Sequence, residues 1–541
     1  MRLLIRLAFV TVLANLELGC APRLAEPPKS PSSAPPTAGA SGASNWKQVE
    51  PGKQKTALVP EPAGVPAPDA ECQAFAEHNA GAAACGGEKP ARDALASALL
   101  LPTAVERDLA LSCLESAREF ASGLIRALCA DLGPVKCADT IVMPLLEPRT
   151  AGLDRRIEDV LIALAAGGRL ARLVQVAPEP TLPVDKARFN EFFQSALKPW
   201  IVGQAAAIHD LSALGPNLSS YAKGIVAIEA GLADMRFVSV VRQVALPKEM
   251  NDDPEIRESY YAALDEALEP RKARGRDAAL VGLLELAKVG VLVDPRVERA
   301  RALLSELYSG RRIDALDELL LPALAAPPKA STEQALAASL PTFYAGFVLD
   351  GLTVDAPLLR ALLERGLPLA FAQRLSTAQL DDATKTLLVR ALIERGRRYL
   401  RAEDFASSVR LSATLPATPE RALYHALGAT LQNGPRDASD VLLHGPLLPN
   451  ATREVGELDQ LAAQKSEVSA LAAFDAAYLL SLAPPQNEPK FWDDLGARFA
   501  KAARSLRTPE QKRHASELSQ AARDTAKALR KPPPPPPAPR P

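Results

Sequence analysis

The sequence predicts an all-α fold, and three features of the chain support this prediction. Apolar residues recur three and four positions apart, as on one helix face, at Ile157, Val160, Leu161 and Leu164. Proline and glycine pairs such as Pro327–Pro328 end these patterns at intervals of ordinary helix length. No stretch shows the alternation of β-branched residues that is typical of a strand. We therefore expect many helices that pack on one another in layers.

The composition agrees with helices and argues against binding that is driven by overall charge. The chain has 541 residues, of which 48% are hydrophobic and only 5% are aromatic. Alanine and leucine are abundant, and both favour helices. The formal net charge of −1 provides no field that would attract nucleic acid or an anionic membrane surface. No nucleic-acid partner is therefore expected.

The first twenty residues have the layout of an export signal. Two arginines precede an apolar run over residues 7–16, and Gly19 stands directly before Cys20. The run is about ten residues long, whereas a helix that spans a bilayer needs roughly 20. The last five residues of this stretch resemble the lipobox of bacterial lipoproteins, in which a small residue precedes the cysteine that becomes acylated. The resemblance implies a signal peptide over 1–19 and a lipid on Cys20.

One position departs from the lipobox pattern. Glu17 stands three residues before the cysteine, where that family prefers an apolar residue, usually leucine. An ordinary secretory signal followed by an unrelated cysteine is therefore the alternative. In lipoproteins, an aspartate after the cysteine retains the protein at the inner membrane, and Ala21 occupies that position here. The resemblance thus implies an outer-membrane lipoprotein that faces the periplasm.

Both ends of the mature chain are predicted to be disordered and rich in proline. Residues 20–69 combine proline with alanine, serine and glycine, which is the composition of an unstructured tether. Residues 531–541 contain the unbroken proline run 532–537, which favours a stiff polyproline II rod. This tail is interpreted as solvated, with a docking peptide for an aromatic-lined groove as the alternative.

The other cysteines are confined to one predicted helical segment, residues 70–150. They are Cys72, Cys85, Cys113, Cys129 and Cys137. In an exported protein this clustering predicts local disulfides, with one free thiol because the count is odd. Cys113 and Cys129 are predicted to share a helix, which would hold them about 24 Å apart, beyond the roughly 7 Å limit of a disulfide. Cys129 and Cys137 flank a Gly-Pro turn and could pair across it.

The C-terminal third, residues 381–530, carries a weak repeat. Residues 492–499 read WDDLGARF and residues 424–431 read YHALGATL, so both place an aromatic residue three positions before a Leu-Gly pair. They lie 68 positions apart, which is twice the 34-residue period of the tetratricopeptide repeat, whose first helix they resemble. The resemblance implies an α-solenoid of stacked helical hairpins with a groove for peptides or partner proteins. Tyr424 and Trp492 would then lie at that groove.

Residues 151–380 are predicted to form a helical domain without a clear repeat. Its most prominent feature is an aromatic stripe at helical spacing, formed by Phe189, Phe192, Phe193 and Trp200. Helical spacing favours a packing face over a ligand platform. The acidic run 251–255 lacks the glycine and terminal glutamate of a calcium loop, and it is interpreted as a helix cap.

Motifs for common chemistries are absent from the sequence. The chain has no G-x-x-x-x-G-K-[ST] phosphate loop, no G-x-S-x-G nucleophile turn and no H-E-x-x-H zinc motif. Ser195 and Lys198 match the S-x-x-K of penicillin-binding proteins, but no K-T-G or S-D-N follows, so we interpret the match as coincidence. A metal site at the cysteines is disfavoured because C-x-x-C is absent and His78 is the only nearby histidine. We assign no catalytic, metal-binding or cofactor-binding residue.

Four arginines crowd the end of one predicted helix: Arg395, Arg397, Arg398 and Arg401. We interpret them as an exposed and solvated helix face. Contact with a polyanion such as lipopolysaccharide is the alternative.

These features lead to one principal prediction of function and one alternative. The principal prediction is a non-enzymatic, lipid-anchored helical-repeat scaffold that binds a protein or peptide partner in the cell envelope and meets the membrane only through its lipid. The alternative is an enzyme acting on peptidoglycan, since soluble lytic transglycosylases also contain long helical superhelices. Their catalytic glutamate usually precedes a serine, as Glu115 and Glu258 do here, although neither has a recognisable lysozyme-like context.

Overall fold

The protein is known from a computed structural model, which describes residues 58–80, 90–175, 177–180, 184–308, 311–324, 331–349, 380–434, 437–444, 455–482 and 487–530. Within these residues the secondary structure is helical, and the only β pairing is an isolated bridge. The all-α prediction is therefore confirmed for the described part of the chain. The predicted signal peptide, Cys20, Cys85 and the proline-rich tail lie outside the described residues.

By internal contacts the chain divides into two compact units, residues 1–286 and 287–541. The division lies inside a long helix and coincides with neither predicted boundary, at residue 150 or at residue 380. The described helices of the first unit are α1 (Ala70–Ala80), α2 (Ala91–Leu99), α3 (Ala104–Ser112), α4 (Leu124–Leu132), α5 (Ala138–Leu146), α6 (Arg155–Gln175), α7 (Lys186–Phe192), α8 (Lys198–Leu214), α9 (Ser220–Gln243), α10 (Lys248–Asn251) and α11 (Pro254–Lys288). A π-helical turn, Phe193–Leu197, joins α7 to α8.

The second unit contains stacked helical hairpins. Its described helices are α12 (Pro295–Leu307), α13 (Thr332–Ser339), α14 (Thr342–Val348), α15 (Asp382–Tyr399), α16 (Ala402–Ser412), α17 (Pro419–Leu431), α18 (Ala438–His444), α19 (Gly456–Ala463), α20 (Ser469–Leu482), α21 (Pro489–Ser505) and α22 (Pro509–Leu529). Consecutive helices pack side by side from α15 to α17 and again from α19 to α22. Hairpins therefore occur in the region that was predicted to contain them, whereas the tetratricopeptide resemblance stays a prediction.

Helix starts in the second unit follow the rules of N-terminal capping. At the start of α15, the Asp381 carboxylate accepts a hydrogen bond from the Thr384 N–H at 2.6 Å. At the start of α22, Thr508 and Gln511 form a reciprocal capping box, and Pro509 occupies the first helical position. These caps satisfy N–H groups that have no partner within the helix, which is why both helices begin where they do.

The last part of the predicted tether is docked on α6. Val59 is buried, and Arg169 donates to the carbonyl oxygens of Val59 at 3.3 Å and Pro60 at 2.9 Å. Arg172 donates to the Pro66 carbonyl at 3.0 Å. A proline-rich chain leaves its carbonyl oxygens without internal partners, and guanidinium groups can supply donors for them. The packed part of the chain therefore starts before residue 69, where we had predicted the tether to end.

Two pairs of glycines bring α9 and α11 into backbone contact. Gly224 lies against Gly282, and Gly231 lies against Gly275, so the two helices run in opposite directions. A Cβ atom on Gly231 would lie 2.7 Å from the carbonyl oxygen of Gly275, a separation that real Cβ atoms essentially never show. In each helix the two glycines are seven residues apart, which places them on one face.

The two copies of the C-terminal motif use their glycines differently. A Cβ atom on Gly428 would meet Ser408 of α16, the helix that precedes it in the chain. A Cβ atom on Gly496 would instead meet Arg523 and Ser519 of α22, the helix that follows. The same sequence spacing therefore serves two different helix contacts.

Candidate functional site

The cysteine-containing segment is cross-linked at its start. Cys72 of α1 and Cys137, which lies just before α5, form a disulfide with Cα atoms 4.7 Å apart. The suggested pairing of Cys129 with Cys137 is therefore wrong, and Cys129 is a free thiol buried in α4. Cys113 is also disulfide-bonded, to a partner outside the described residues.

The predicted helix shared by Cys113 and Cys129 is also wrong. α3 ends at Ser112, and α4 begins only after Gly123, which adopts a left-handed conformation with φ of 76°. A side chain on Gly123 would strain this backbone and would meet Leu153 at 2.9 Å. Helical periodicity alone did not reveal this break.

Removing the Cys72–Cys137 disulfide should destabilise the first unit. The bond joins residues 65 positions apart, and removal of a disulfide from a folded protein costs about 2–5 kcal/mol. We expect the double variant Cys72→Ala/Cys137→Ala to lose a free energy of unfolding in this range under oxidising conditions, measured by denaturant titration. Equal midpoints for the variant and the unreduced wild type would contradict the prediction.

Cys129 belongs to a buried polar cluster, and its thiol is held in the protonated form. Burial, with the Asp108 carboxylate as the next cause, raises the pKa of Cys129 well above its usual range. Asp108 accepts hydrogen bonds from Asn79 Nδ2 at 3.1 and 3.3 Å and lies 3.2 Å from His78 Nδ1. Burial also raises the pKa of Asp108, while Asn79 and His78 oppose that shift. Asn79 and His78 therefore provide hydrogen-bond partners for the buried Asp108 carboxyl group, and the cluster does not activate Cys129 as a nucleophile.

The sulfur atoms that a metal would need are engaged with each other. The ligand atoms of Asp69, Cys72 and Cys137 lie within 4.8 Å of one another, but the two sulfurs form the disulfide. Asp69 accepts the Cys72 N–H at 3.0 Å and forms an ion pair with Lys136 at 2.6 Å. The hydrogen bond from Lys136 lowers the pKa of Asp69. The disulfide therefore cross-links the start of α1, and the Asp69 carboxylate caps it.

The aromatic stripe is a packing face, as predicted. Phe192 is buried in a core cluster with Phe237, and the Trp200 ring stacks on Phe237 with centroids 5.5 Å apart. Ser195 lies in the π-helical turn of the same stretch, where its hydroxyl donates to the Glu191 carbonyl at 2.7 Å. This local hydrogen bond agrees with the interpretation of the S-x-x-K match as coincidence.

Three acidic residues singled out from the sequence lie in ordinary surroundings. Asp253 caps α11, as predicted, by accepting two N–H groups of the next turn at 3.0 and 3.2 Å. Glu115 accepts a hydrogen bond from Arg126 at 2.9 Å, and Glu258 is exposed on α11. Such contacts are typical of carboxylates that cap, pair or face solvent.

The most distinctive surface of the described chain surrounds a segment in the second unit that has little regular secondary structure. Residues 311–324, here called the inserted segment, contain a single 3₁₀ turn, Ala315–Glu318. Four helix side chains donate hydrogen bonds to five of its main-chain carbonyl oxygens. The pairs are Arg301 with Ile313 (3.3 Å), Tyr478 with Ala315 (2.6 Å), Arg397 with Asp317 (3.3 Å) and Leu319 (2.9 Å), and Arg390 with Pro322 (2.5 Å). We call these four side chains, together with Arg398 and Asp475, the docking surface.

The docking surface also accepts a main-chain donor. The Asp475 carboxyl group accepts a hydrogen bond from the Leu320 N–H at 2.8 Å. Asp475 is completely buried in α20, and burial raises its pKa well above the usual range of an aspartate. The hydrogen bond from the Leu320 N–H and, to a smaller extent, the charge of Arg397 oppose this shift only in part. The docking surface thus pairs with both donors and acceptors of the main chain of the inserted segment.

Side chains of the inserted segment contribute an acidic and an apolar contact. Asp317 receives two hydrogen bonds from Arg301, at 2.7 and 2.9 Å, and one from Arg398 at 3.0 Å. The Glu318 carboxylate lies 2.9 Å from Nε2 of His514. The apolar contact consists of buried side chains, which are Ile313, Ala315, Leu316 and Leu319.

The cluster of arginines at the end of α15 is not an exposed face, and that prediction is wrong. Arg395 is buried and forms two hydrogen bonds with Asp404, at 2.8 and 2.6 Å. Arg401 also binds Asp404, at 3.2 Å. Burial lowers the pKa of both Arg398 and Arg401. Carboxylates and carbonyl oxygens from distant parts of the chain cover these groups, which composition along one helix could not show.

The two aromatic residues expected at the groove have different surroundings. The Tyr424 ring is buried in α17, and its hydroxyl accepts from Arg390 at 3.2 Å, so it supports a member of the docking surface. Trp492 makes its contacts at the start of α21, where its Nε1 donates to Asn487 at 2.8 Å and its ring meets Phe491.

The sequence does not indicate that the inserted segment is bound like a peptide ligand. Its apolar residues recur three positions apart at Ile313, Leu316 and Leu319, which resembles one more amphipathic helix. Only the single 3₁₀ turn forms, and side chains of helices bind five carbonyl oxygens and the Leu320 N–H of the segment. The one available signal was Pro322 within the segment, which disfavours continued helix.

Comparisons of the chain with protein-family models, with curated proteins and with solved structures found no match. Among the described helices, none combines the length and the apolar character that crossing a membrane requires. Inference about function therefore depends on the geometry of the docking surface and on the N-terminal sequence.

Proposed function

We propose that this protein is a non-enzymatic, lipid-anchored scaffold of the bacterial cell envelope that binds a peptide of a partner protein on the docking surface. The observation that supports this proposal is the inserted segment, whose main chain is bound by four donors and one carboxyl acceptor. Peptide-recognition sites commonly gain affinity from main-chain hydrogen bonds and specificity from pockets for side chains. Both kinds of contact are present here.

Two features support the location in the envelope. The stretch before Cys20 resembles a lipobox, and the Cys72–Cys137 disulfide belongs to a class of bond that persists mainly in oxidising compartments. A lipid on Cys20 would hold the docking surface close to the membrane. Tethering raises the effective concentration of a binding site for partners in the same membrane.

Acylation of Cys20 is the first prediction of this proposal. Cells fed an alkyne fatty acid should incorporate the label into the wild-type protein, and the variant Cys20→Ser should lose it. The variant Cys129→Ser is the matched control, because that thiol is buried in the folded protein and should leave labelling unchanged. An unlabelled wild type, or equal labelling of the Cys20 variant, would contradict the lipid anchor.

Site-specific photocrosslinking tests the docking surface itself. Benzoylphenylalanine at Leu443 would stand at an exposed position beside Arg311, which donates to the Leu443 carbonyl at 3.1 Å. We expect a partner to crosslink at this position in envelope extracts. A synthetic peptide of residues 311–324, supplied well above its Kd, should reduce the yield of this crosslink about tenfold. The same peptide with Asp317→Lys should compete poorly, because it would place a cation against Arg301 and Arg398.

The matched control position is Leu284, an exposed residue of α11 in the first unit. Crosslinks there should not respond to the peptide. The proposal fails if the two positions give the same products, or if neither peptide changes the yield at Leu443.

A further inference from the structure

We propose that the inserted segment is a built-in competitor for the docking surface, which the partner peptide must displace. This inference rests on the proposed function and adds to it the chemistry of the partner. That partner is a short stretch that can form a similar turn and in which an acidic residue, equivalent to Asp317, lies among leucine-like and small side chains.

The first step is the nature of the contacts. The hydrogen bonds from Arg390, Arg397 and Tyr478 end on carbonyl oxygens of the inserted segment, and Asp475 receives an N–H. Every peptide carries these main-chain groups. A second peptide in the same conformation can therefore reproduce them without sharing the whole sequence of residues 311–324.

The second step is charge, which selects among such peptides. Asp317 stands between the guanidinium groups of Arg301 and Arg398. Arg301 is almost fully buried, and its other carboxylate neighbour, Glu298, lies 3.9 Å away, so losing the two hydrogen bonds to Asp317 would be costly. A competing peptide should therefore bring a carboxylate to this position, and a basic residue there would be rejected.

The third step is how the inserted segment is held. Its internal main-chain hydrogen bonds are those of one 3₁₀ turn, such as the bond from Asp317 N–H to the Asp314 carbonyl at 3.0 Å. Most of its order comes from contacts with α12, α15, α20 and α22. A segment ordered chiefly by its surroundings can leave as a unit, as a bound peptide does.

Excision of the segment tests the proposal in the full-length protein. Specific protease sites would be inserted directly before Arg311 and directly after Leu324, and the cut protein would be passed over a size-exclusion column. The probe is a fluorescent peptide of residues 311–324, with binding followed by anisotropy. We expect the cut protein to release the segment and to bind the probe about tenfold or more tightly than the uncut protein. In the uncut protein the segment occupies the docking surface, and the apparent affinity for the probe falls in proportion to the fraction of molecules in which that surface is open.

A probe carrying Asp317→Lys should bind the cut protein much more weakly than the native probe. Loss of the helical circular dichroism on excision would overturn the proposal, because the segment would then be part of the folding core. Retention of the cut segment against excess probe, or equal affinities before and after cutting, would overturn it as well.

A second variant tests the same competition without cutting. Leu316→Glu places a charge at a buried position of the segment and should raise probe affinity, whereas Ala323→Glu changes an exposed position and should not. Equal probe affinity of these two folded variants would overturn the inference. If the probe displaces the segment but no partner crosslinks at Leu443, only the proposed function is overturned. The two failures are therefore distinguishable.

Discussion

Replacing Gly231 with alanine should destabilise the first unit by about 1–3 kcal/mol, which is the usual cost of forcing extra atoms into a close-packed contact. The new Cβ atom would lie 2.7 Å from both the Gly275 carbonyl oxygen and the Ala279 nitrogen. These are backbone atoms of α11, so no side chain can rotate away and the two helices must separate. Gly231→Leu should cost more than Gly231→Ala for the same reason.

The matched control is Gly346, an interior residue of α14 with no atom within 4 Å of its Cβ position. Gly346→Ala should stabilise that helix by about 0.5–1 kcal/mol, because alanine has the higher helix propensity. Hydrogen exchange measured by mass spectrometry would report each change in its own helix. If hydrogen-exchange protection of α9 and α11 is unchanged in Gly231→Ala, the two helices are farther apart than the structure shows.

Replacing Asp475 with asparagine should stabilise the second unit at neutral pH. Asparagine keeps the oxygen that accepts the Leu320 N–H and removes a buried carboxyl group whose ionisation is unfavourable. The pKa of Asp475 is raised in the folded state above its ordinary value of 3.8. Its stabilising contribution is therefore complete below that value and is lost as the pH rises toward the folded-state pKa.

The advantage of Asp475→Asn over the wild type should accordingly grow with pH above about 4, by up to about 1.4 kcal/mol per pH unit. Denaturant titrations at pH 4, 5.5 and 7 would measure it. Asp524→Asn, an exposed change on α22 that keeps the acceptor for Gln520, is the control and should show little pH dependence. Parallel curves for wild type and Asp475→Asn would mean that the buried carboxyl titrates normally. Asp475→Leu should destabilise at every pH, because the Leu320 N–H loses its acceptor.

Several local predictions held because the physics behind them acts over one or two helical turns. The aromatic stripe around Phe192 has the spacing of a buried helix face, and it is one. Asp253 caps a helix because a short polar side chain can reach the N–H groups of the next turn.

Other predictions failed where the outcome depends on residues outside the helix concerned. Arg395 pairs with Asp404 in the next helix, and Arg397 binds the carbonyl oxygen of Leu319, 78 positions away, so a cluster that looks solvated along one helix is covered. Cys137 pairs with Cys72 across 65 positions because α1 packs beside α5, which spacing along the chain does not encode.

By itself the sequence determined the helical class and many helix starts, because periodicity and capping are local properties. It also supplies the lipobox-like stretch that ends at Cys20, on which the proposed envelope location depends. Only the tertiary structure decided that residues 311–324 form no helix beyond one 3₁₀ turn and lie against Arg301, Arg397 and Asp475, since that conformation is stabilised by groups on three separate helices. A local pattern cannot report a conformation whose free energy comes from distant partners.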